Sequence, residues 1–342
     1  MELWLKILQS MIQSGPVIPR SQVFRFVIAL LVAICVSFVL LRQIETGHIP
    51  ETIRRISPSA LLVGFVLYCI FILAKTIRFR QLLAIDRPIF KLLPIFALHT
   101  FWGNILPFRS GDLSYIFLMK SREKVAGTKS LASLMLASII DLTLLIGLMV
   151  TTSLLLKSDL VGLSYIGLLV VPMLFGIGML GLMGSALFAR KALTHLIDTV
   201  ENWFQDFNFR PIQWITEKIL AIIQELLSTG LDRHFLLTWV YSIVSMIIRF
   251  GFQIYLIAEM GVEVPVINLI FALVFTNIFN LLPIQSIGNF GTIEAPFSWA
   301  LIHFGTTKEV ALVTAFSLHI IILIYCLPVG LYGLISRRRT GS

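Results

Sequence analysis

Ionisable side chains interrupt several long apolar runs of this chain, and their types indicate what chemistry the interior has to support. Arg249 lies near the middle of one such run, Asp141 lies inside another, and His319 lies deep in the last one. An unpaired charge within hydrocarbon costs about 2.5 kcal/mol or more. Each of these residues therefore requires an ion-pair partner, a charged ligand or a water-filled cavity.

The charged residues divide into two groups by the ligands that they can bind. An arginine guanidinium forms two parallel hydrogen bonds to a phosphate, whereas a carboxylate binds an ammonium group or carries a proton. The candidates for binding phosphate are Arg78, Arg109 and Arg249. The candidates for binding a cationic group or a coupling proton are Asp112, Asp141 and Glu294. His319 is a further candidate, because a histidine can titrate near neutral pH.

Structural explanations exist for the same residues. Asp141 and Arg249 can form a buried ion pair with each other, as intramembrane charges commonly do. Arg78 lies near the end of its apolar run, from which a long side chain can extend to the membrane surface. His319 can be a neutral, hydrogen-bonded core residue. These alternatives remain open at the level of sequence.

Two parts of the chain carry the same elements in the same order. The first contains Ile77-Arg78-Phe79, then Asn104-Ile105-Leu106-Pro107, and then Gly111-Asp112. The second contains Ile248-Arg249-Phe250, then Asn280-Leu281-Leu282-Pro283, and then Gly291 and Glu294. A duplicated hydrophobic segment that is broken by Pro and Gly and carries ionisable residues is typical of a transporter built from two repeats. Coincidence is the alternative, because Ile, Leu and Phe are abundant in the chain.

The composition is that of a membrane protein. Hydrophobic residues make up 57% of the 342 residues, charged residues make up 13%, and the mean hydropathy is +0.92. Several apolar runs of about 20 residues are long enough to cross a hydrocarbon core roughly 30 Å thick. We expect a single membrane domain over 1–342, without a signal peptide and without a metal or other cofactor. The cysteines, Cys35, Cys69 and Cys326, have no metal-like spacing.

The apolar runs predict an all-α polytopic fold with about six full spans. The spans are 26–41, 60–79, 131–156, 161–188, 235–260 and 310–335. Two further apolar segments, 91–119 and 264–303, are broken at 107–111 and 283–291. We expect each to form a re-entrant helical hairpin, one in each repeat (26–156 and 235–335); two ordinary short spans joined by a tight turn are the alternative. The stretch 190–233 between the repeats has apolar residues at helical spacing and predicts a cytoplasmic amphipathic linker.

The distribution of charge predicts the orientation of the fold. The net charge is +9, and the basic residues cluster at alternate ends of the spans. By the positive-inside rule, both termini are expected in the cytoplasm, with the chain in the cell inner membrane. Segment 91–119 has basic flanks at both ends, whereas 264–303 lies between cation-poor loops. The two hairpins are thus expected to enter from opposite faces as an inverted repeat. Because the basic residues flank the spans and do not line one soluble face, binding of nucleic acid is not expected.

The two broken segments also resemble the signatures of a known family. Residues 104–112, Asn-Ile-Leu-Pro-Phe-Arg-Ser-Gly-Asp, are similar to the signature Asn-x-x-Pro-x-Arg-x-Gly-Glu, with Asp in place of Glu. Residues 280–294 are similar to a second signature of Asn-x-x-Pro, glycines and Glu. The family that they resemble is the lysylphosphatidylglycerol synthase transmembrane region, the flippase-like part of the multiple peptide resistance factor. The resemblance covers roughly 27–334.

This resemblance implies a lipid translocase, in which a charged headgroup crosses between leaflets through a polar cavity between the repeats. It marks the following residues as part of the site: Asn104, Pro107, Arg109, Gly111, Asp112, Asn280, Pro283, Gly288, Gly291 and Glu294. It implies membrane phospholipids, anionic or aminoacylated, as partners, and it leaves open a homodimer and a separate lipid-modifying enzyme. No stretch after 335 is long enough for the soluble aminoacyl-transferase domain of the synthase, so we expect a stand-alone member that is not an enzyme.

Two other functions fit parts of the sequence. A secondary transporter of a small solute or ion would have broken helices as well. A membrane-embedded transferase acting on a lipid would need a donor site, and the sequence has no Asp-x-Asp pair and no Gly-rich Lys-Ser/Thr phosphate loop. Among these functions, only the family resemblance favours the lipid translocase.

Overall fold

The computed structural model describes residues 48–107, 109–156, 233–281 and 285–339, with side chains up to residue 336. The predicted spans 26–41 and 161–188, the predicted linker up to residue 232, and Pro283 lie outside the described residues. Within the described ranges the regular structure is helical and contains no strand. The all-α prediction is therefore confirmed for this part of the chain.

Nine α-helices make up the described fold. In chain order they are α1 (His48–Arg55), α2 (Pro58–Leu82), α3 (Ile89–Ile105), α4 (Gly111–Arg122), α5 (Gly127–Leu155), α6 (Arg233–Glu259), α7 (Val266–Leu281), α8 (Glu294–His303) and α9 (Lys308–Arg339). A short 3₁₀ turn, Ile287–Asn289, lies between α7 and α8. At the start of α2 the Ser57 hydroxyl accepts a hydrogen bond from the Ala60 N–H, which caps the helix ahead of its first apolar turn.

Four of these helices are long and apolar enough to cross a membrane. They are α2, α5, α6 and α9, and they correspond to the predicted spans 60–79, 131–156, 235–260 and 310–335. Many large apolar side chains on these helices point outward, as expected for surfaces that face lipid. The chain is thus a membrane protein with transmembrane helices.

Each predicted broken segment is a pair of short helices that pack against each other. Segment 91–119 contains α3 and α4, and segment 264–303 contains α7 and α8. The first break falls where it was expected, because α3 ends at Ile105 just before Pro107 and α4 begins at Gly111. The longest of the four, α3, has 17 residues and is therefore about 25 Å long, short of a bilayer core. Entry of the two hairpins from opposite membrane faces remains a prediction.

The first half of the described chain (α1 to α5) packs against the second half (α6 to α9) through reciprocal pairs of helices. Helix α2 of the first half packs against α6 of the second. The last helix of each half packs against the first hairpin helix of the other, so that α9 contacts α3 and α5 contacts α7. The largest apolar cluster is continuous across both halves and includes Tyr68, Phe252, Phe271 and Phe297. The hairpins are consequently held between the halves, where they meet.

Gly111 allows the two helices of the first hairpin to approach each other at backbone distance. A Cβ atom added at Gly111 would lie 2.5 Å from both the Cα and the backbone nitrogen of Gly103. Backbone atoms of a packed helix cannot move aside as a flexible side chain can. The glycine of the first motif is therefore explained by packing.

We expect Gly111→Ala to destabilise the protein by about 2 kcal/mol, because the added methyl group overpacks the contact between α3 and α4. The measurement is the apparent midpoint of thermal unfolding of the detergent-solubilised chain. Gly147→Ala in α5 is the matched control, since a Cβ there meets nothing within 4 Å. Equal midpoints for the two variants would contradict the packing account.

Candidate functional site

A cavity of about 320 Å³ lies between the two halves. Its lining comes from α2 to α7, from both hairpin breaks and from α8 and α9. The predicted site residues that line it are Arg78, Asn104, Arg109, Asp112, Asp141, Arg249, Asn280 and His319. Those described but not lining it are Pro107, Gly111, Gly288, Gly291 and Glu294. The structure therefore brings the charged candidates of both halves, except Glu294, to one polar cavity.

Arg78 and Asp141 form a bidentate ion pair in this cavity. The Nη1 and Nη2 atoms of Arg78 donate to Oδ1 and Oδ2 of Asp141 at 2.7 and 3.0 Å. Arg78 is 5% exposed, so it does not extend to the membrane surface. Of the alternatives left open by the sequence, an ion pair of Asp141 with Arg249 is not formed, because α2 and α5 place Arg78 directly against this carboxylate. The paired geometry satisfies both charges.

Arg249 has no hydrogen bond and no ion pair with any described residue. Its guanidinium carbon lies 5.3 Å from the ring centroid of Phe250, and its buried Nε lacks an acceptor in the described part of the chain. A guanidinium carries five N–H donors. Arg249 is thus a cation that lines the cavity and has no described carboxylate within ion-pair distance of it.

Lys75 is a second cation without an ion pair to any described residue, and it was not among the site residues predicted from the sequence. Its Nζ donates to the hydroxyl of Thr100 at 3.1 Å, and no carboxylate of the described residues lies within ion-pair distance of it. Lys75 precedes Arg78 by three residues in the same apolar run, which places both on one face of α2. That spacing was the available signal.

The carboxylate of Asp112 lies within hydrogen-bonding or ion-pair distance of two basic side chains. Its Oδ1 lies 2.9 Å from Nε2 of His99, and its Oδ2 lies 3.2 Å from Nε of Arg109. Asp112 is in the first turn of α4, where the positive end of the helix dipole also favours a carboxylate. His99 was not among the predicted site residues, since a single histidine in the apolar α3 carries no motif.

Glu294 is held away from the cavity by a buried imidazole. Its Oε1 lies 2.6 Å from Nδ1 of His319, and its Oε2 accepts the Gly291 N–H at 2.7 Å. Glu294 and His319 are 0% and 1% exposed. Nε2 of His319 has no partner among the described residues, and the ring borders the cavity. Both carboxylate oxygens of Glu294 are therefore occupied, and His319 separates this residue from the cavity.

Each hairpin break contacts the end of the first hairpin helix in the other half. Arg109 donates through Nη1 to the carbonyl of Leu281 at 3.2 Å, and Asn289 donates through Nδ2 to the carbonyl of Gly103 at 3.4 Å. Both donors have left-handed backbones, with φ of 54° and 58°. Carbonyls in the last turn of a helix lack intrahelical partners. The breaks therefore satisfy each other's helix ends across the cavity.

The remaining motif residues shape the breaks. Asn104 donates through Nδ2 to the Thr100 carbonyl at 2.8 Å, which places its side chain along the last turn of α3. Gly288 and Gly291 have φ of 63° and 80°, a conformation that favours glycine. Gln285 donates to the Asn280 carbonyl at 2.8 Å beyond the end of α7.

The cavity carries an excess of positive charge. The cations that line it are Lys75, Arg78, Arg109 and Arg249, and the carboxylates are Asp112 and Asp141. With the histidines neutral, two positive charges remain without a lining carboxylate. Across the described ranges, no group of three His, Cys, Asp or Glu residues is arranged to hold a metal ion. The positive excess among the lining residues suits binding of an anion.

We expect Asp141→Ala to lower the free energy of unfolding by about 3 kcal/mol, because it leaves the buried Arg78 charge uncompensated. Asp86→Ala is the control, since its 3.3 Å pair with Arg80 is exposed to solvent and should contribute little to stability. Chemical denaturation of both variants in detergent measures the difference. Replacing Arg78 and Asp141 together with Leu should recover part of the loss; a double variant less stable than Asp141→Ala would contradict the pairing argument.

Comparison with known proteins gives one match. The family model for the lysylphosphatidylglycerol synthase TM region matches residues 26–330, which include both hairpins and every residue that lines the cavity. No curated protein and no solved structure matches the chain.

Proposed function

Because the chain belongs to the lysylphosphatidylglycerol synthase transmembrane-region family, which implies a function connected with membrane lipids, we propose that it is a lipid translocase. In this proposal a charged phospholipid headgroup crosses the inner membrane through the cavity between the halves. The acyl chains remain in the surrounding lipid. The protein makes and breaks no covalent bond.

The observation that carries the proposal is the polar cavity among apolar membrane helices. A phospholipid headgroup cannot cross hydrocarbon cheaply, because its charges would lose their water. Cationic and amide side chains around the 320 Å³ cavity can replace part of that hydration. A cavity of this volume has room for a headgroup but not for a whole phospholipid, which is consistent with the tails staying outside.

The exchanged packing of the halves supports movement by alternating access. In transporters built from inverted repeats, one repeat rocks against the other around a fixed site. Here the halves meet at the breaks through the Arg109 contact with Leu281 and the Asn289 contact with Gly103. We propose that these two contacts change as the cavity opens to one face and then to the other. The hairpins would then enter from opposite sides, with both chain termini in the cytoplasm.

The proposed roles of the charged residues follow from their partners. Arg249 has no ion pair with any described residue and is assigned to the headgroup phosphate. Asp141 and Arg78 neutralise each other, so this pair is assigned a structural role in the cavity wall and not a role in binding the headgroup. Asp112 is engaged by His99 and Arg109, so these three side chains are assigned to the structure of the cavity wall.

We expect the purified chain in liposomes to transfer fluorescent phospholipid from the inner to the outer leaflet, where dithionite quenches it. Arg249→Leu should lower the rate at least about tenfold, since the phosphate would lose a charge-assisted partner. Arg55→Leu is the control, because Arg55 is exposed on α1 away from the cavity. Size-exclusion profiles and unfolding midpoints verify that both variants are folded.

No transfer of any lipid by folded protein would contradict a lipid translocase. That result would favour a transporter of a small solute or ion, which broken helices also suit. Transfer that is equal in the Arg249→Leu variant would contradict the assigned role of Arg249. Separate reconstitution with and without a lipid-modifying enzyme would test whether such a partner is required.

A further inference from the structure

We infer that the cavity selects a net-anionic phosphodiester lipid whose headgroup carries hydroxyl groups, with Lys75 and Arg249 together holding the phosphate. This inference rests on the proposed lipid translocation and names the substrate class of the same cavity. A headgroup with a net positive charge, such as an aminoacylated one, is a poor ligand on this account.

First, the charge of the cavity favours an anionic ligand. Asp141 is committed to Arg78 through two hydrogen bonds, and Asp112 is committed to His99 and Arg109. Neither carboxylate is within ion-pair distance of Lys75 or Arg249. Two cations thus remain without an ion-pair partner among the described residues, in a region of low dielectric where an unpaired charge is unfavourable. An anionic ligand relieves this, whereas a cationic ligand raises the excess.

The second step is the position of the two cations. Lys75 is on α2 and Arg249 is on α6, the helices that pack against each other across the two halves. Lys75 uses one of three ammonium donors on Thr100, and Arg249 uses none of its five on a described residue. Arg78 adds a buried Nε without an acceptor in the described part of the chain. A phosphate between the halves therefore meets donors from both.

The third step is a set of buried acceptors without donors. The side-chain oxygens of Gln253, Asn280 and Asn289 border the same cavity, and none has a hydrogen-bond donor among the described residues. A buried acceptor left without a donor is unfavourable, so these oxygens require donors from a ligand or from water. Hydroxyl groups supply donors without adding charge, while an ammonium would add to the positive excess. The donors and acceptors together match a phosphodiester that carries hydroxyl groups.

The experiment measures equilibrium binding by the detergent-solubilised full chain. A fluorescent phosphatidylglycerol is displaced by unlabelled lipids with the same acyl chains and four headgroups. Phosphatidylglycerol is anionic with hydroxyls, phosphatidylmethanol is anionic without donors, phosphatidylcholine is zwitterionic, and lysylphosphatidylglycerol is net cationic. We expect phosphatidylglycerol to bind most tightly and phosphatidylcholine and lysylphosphatidylglycerol to bind at least about tenfold more weakly.

Variants separate the two parts of the inference. Lys75→Gln and Arg249→Gln should each weaken binding of phosphatidylglycerol at least about tenfold, because each removes a charge-assisted hydrogen bond. Lys75→Arg should retain binding, which distinguishes a lost charge from a damaged fold. Gln253→Leu should weaken phosphatidylglycerol but not phosphatidylmethanol. Lys120→Gln and Arg55→Gln change exposed cations outside the cavity and should have no effect.

Three results would overturn parts of the inference. Lysylphosphatidylglycerol binding as tightly as phosphatidylglycerol would contradict the anionic selectivity, and unchanged binding by Lys75→Gln would contradict the two-cation phosphate site. An equal effect of Gln253→Leu on both anionic lipids would overturn the hydroxyl assignment and indicate that water satisfies the amides. Because this assay needs no passage between leaflets, selective binding without transfer in liposomes would refute translocation while the binding site stands.

Discussion

An ionised side chain inside a membrane needs a counter-charge or water, and this requirement accounts for where the polar groups of the protein lie. Arg78 has Asp141, and Asp112 has Arg109, with His99 also within hydrogen-bonding distance of Asp112. The outer faces of the long helices are apolar, so the charges of both halves converge on one interior space. After these pairs are formed, a positive excess remains among the described lining residues, and we infer that this excess selects the ligand.

The broken hairpins make such a space possible. Helices that end at a break leave carbonyls and N–H groups that continuous spans would have satisfied internally. Arg109 and Asn289 each satisfy a carbonyl near the end of a helix in the opposite half, so the breaks stabilise each other. Gly111 lets α3 and α4 approach closely enough for the first hairpin to form. The residues of the motifs therefore divide into those that build the breaks and those that face the cavity.

The helices and the first break could be predicted from sequence because hydropathy, Pro107 and Gly111 act locally. Partners could not, since they depend on how each helix is rotated and where helices cross. Asp141 pairs with Arg78 and not with Arg249, and Glu294 contacts His319, which separates it from the cavity. Lys75 was within reach of sequence reasoning, because it lies one turn from Arg78 in an apolar run. His99 was not, because only the fold brings it to Asp112.

We propose that the space between the halves is polar and filled with water within the membrane. The most direct test is the reaction of introduced cysteines with a charged, membrane-impermeant thiol reagent, after Cys35, Cys69 and Cys326 are replaced by Ala. Ser138→Cys lines the cavity, whereas Leu62→Cys lies on the outer face of α2, where Leu62 is 63% exposed. The account predicts rapid modification at position 138 and little at position 62. Slow modification at both positions would show a dry interior and contradict it.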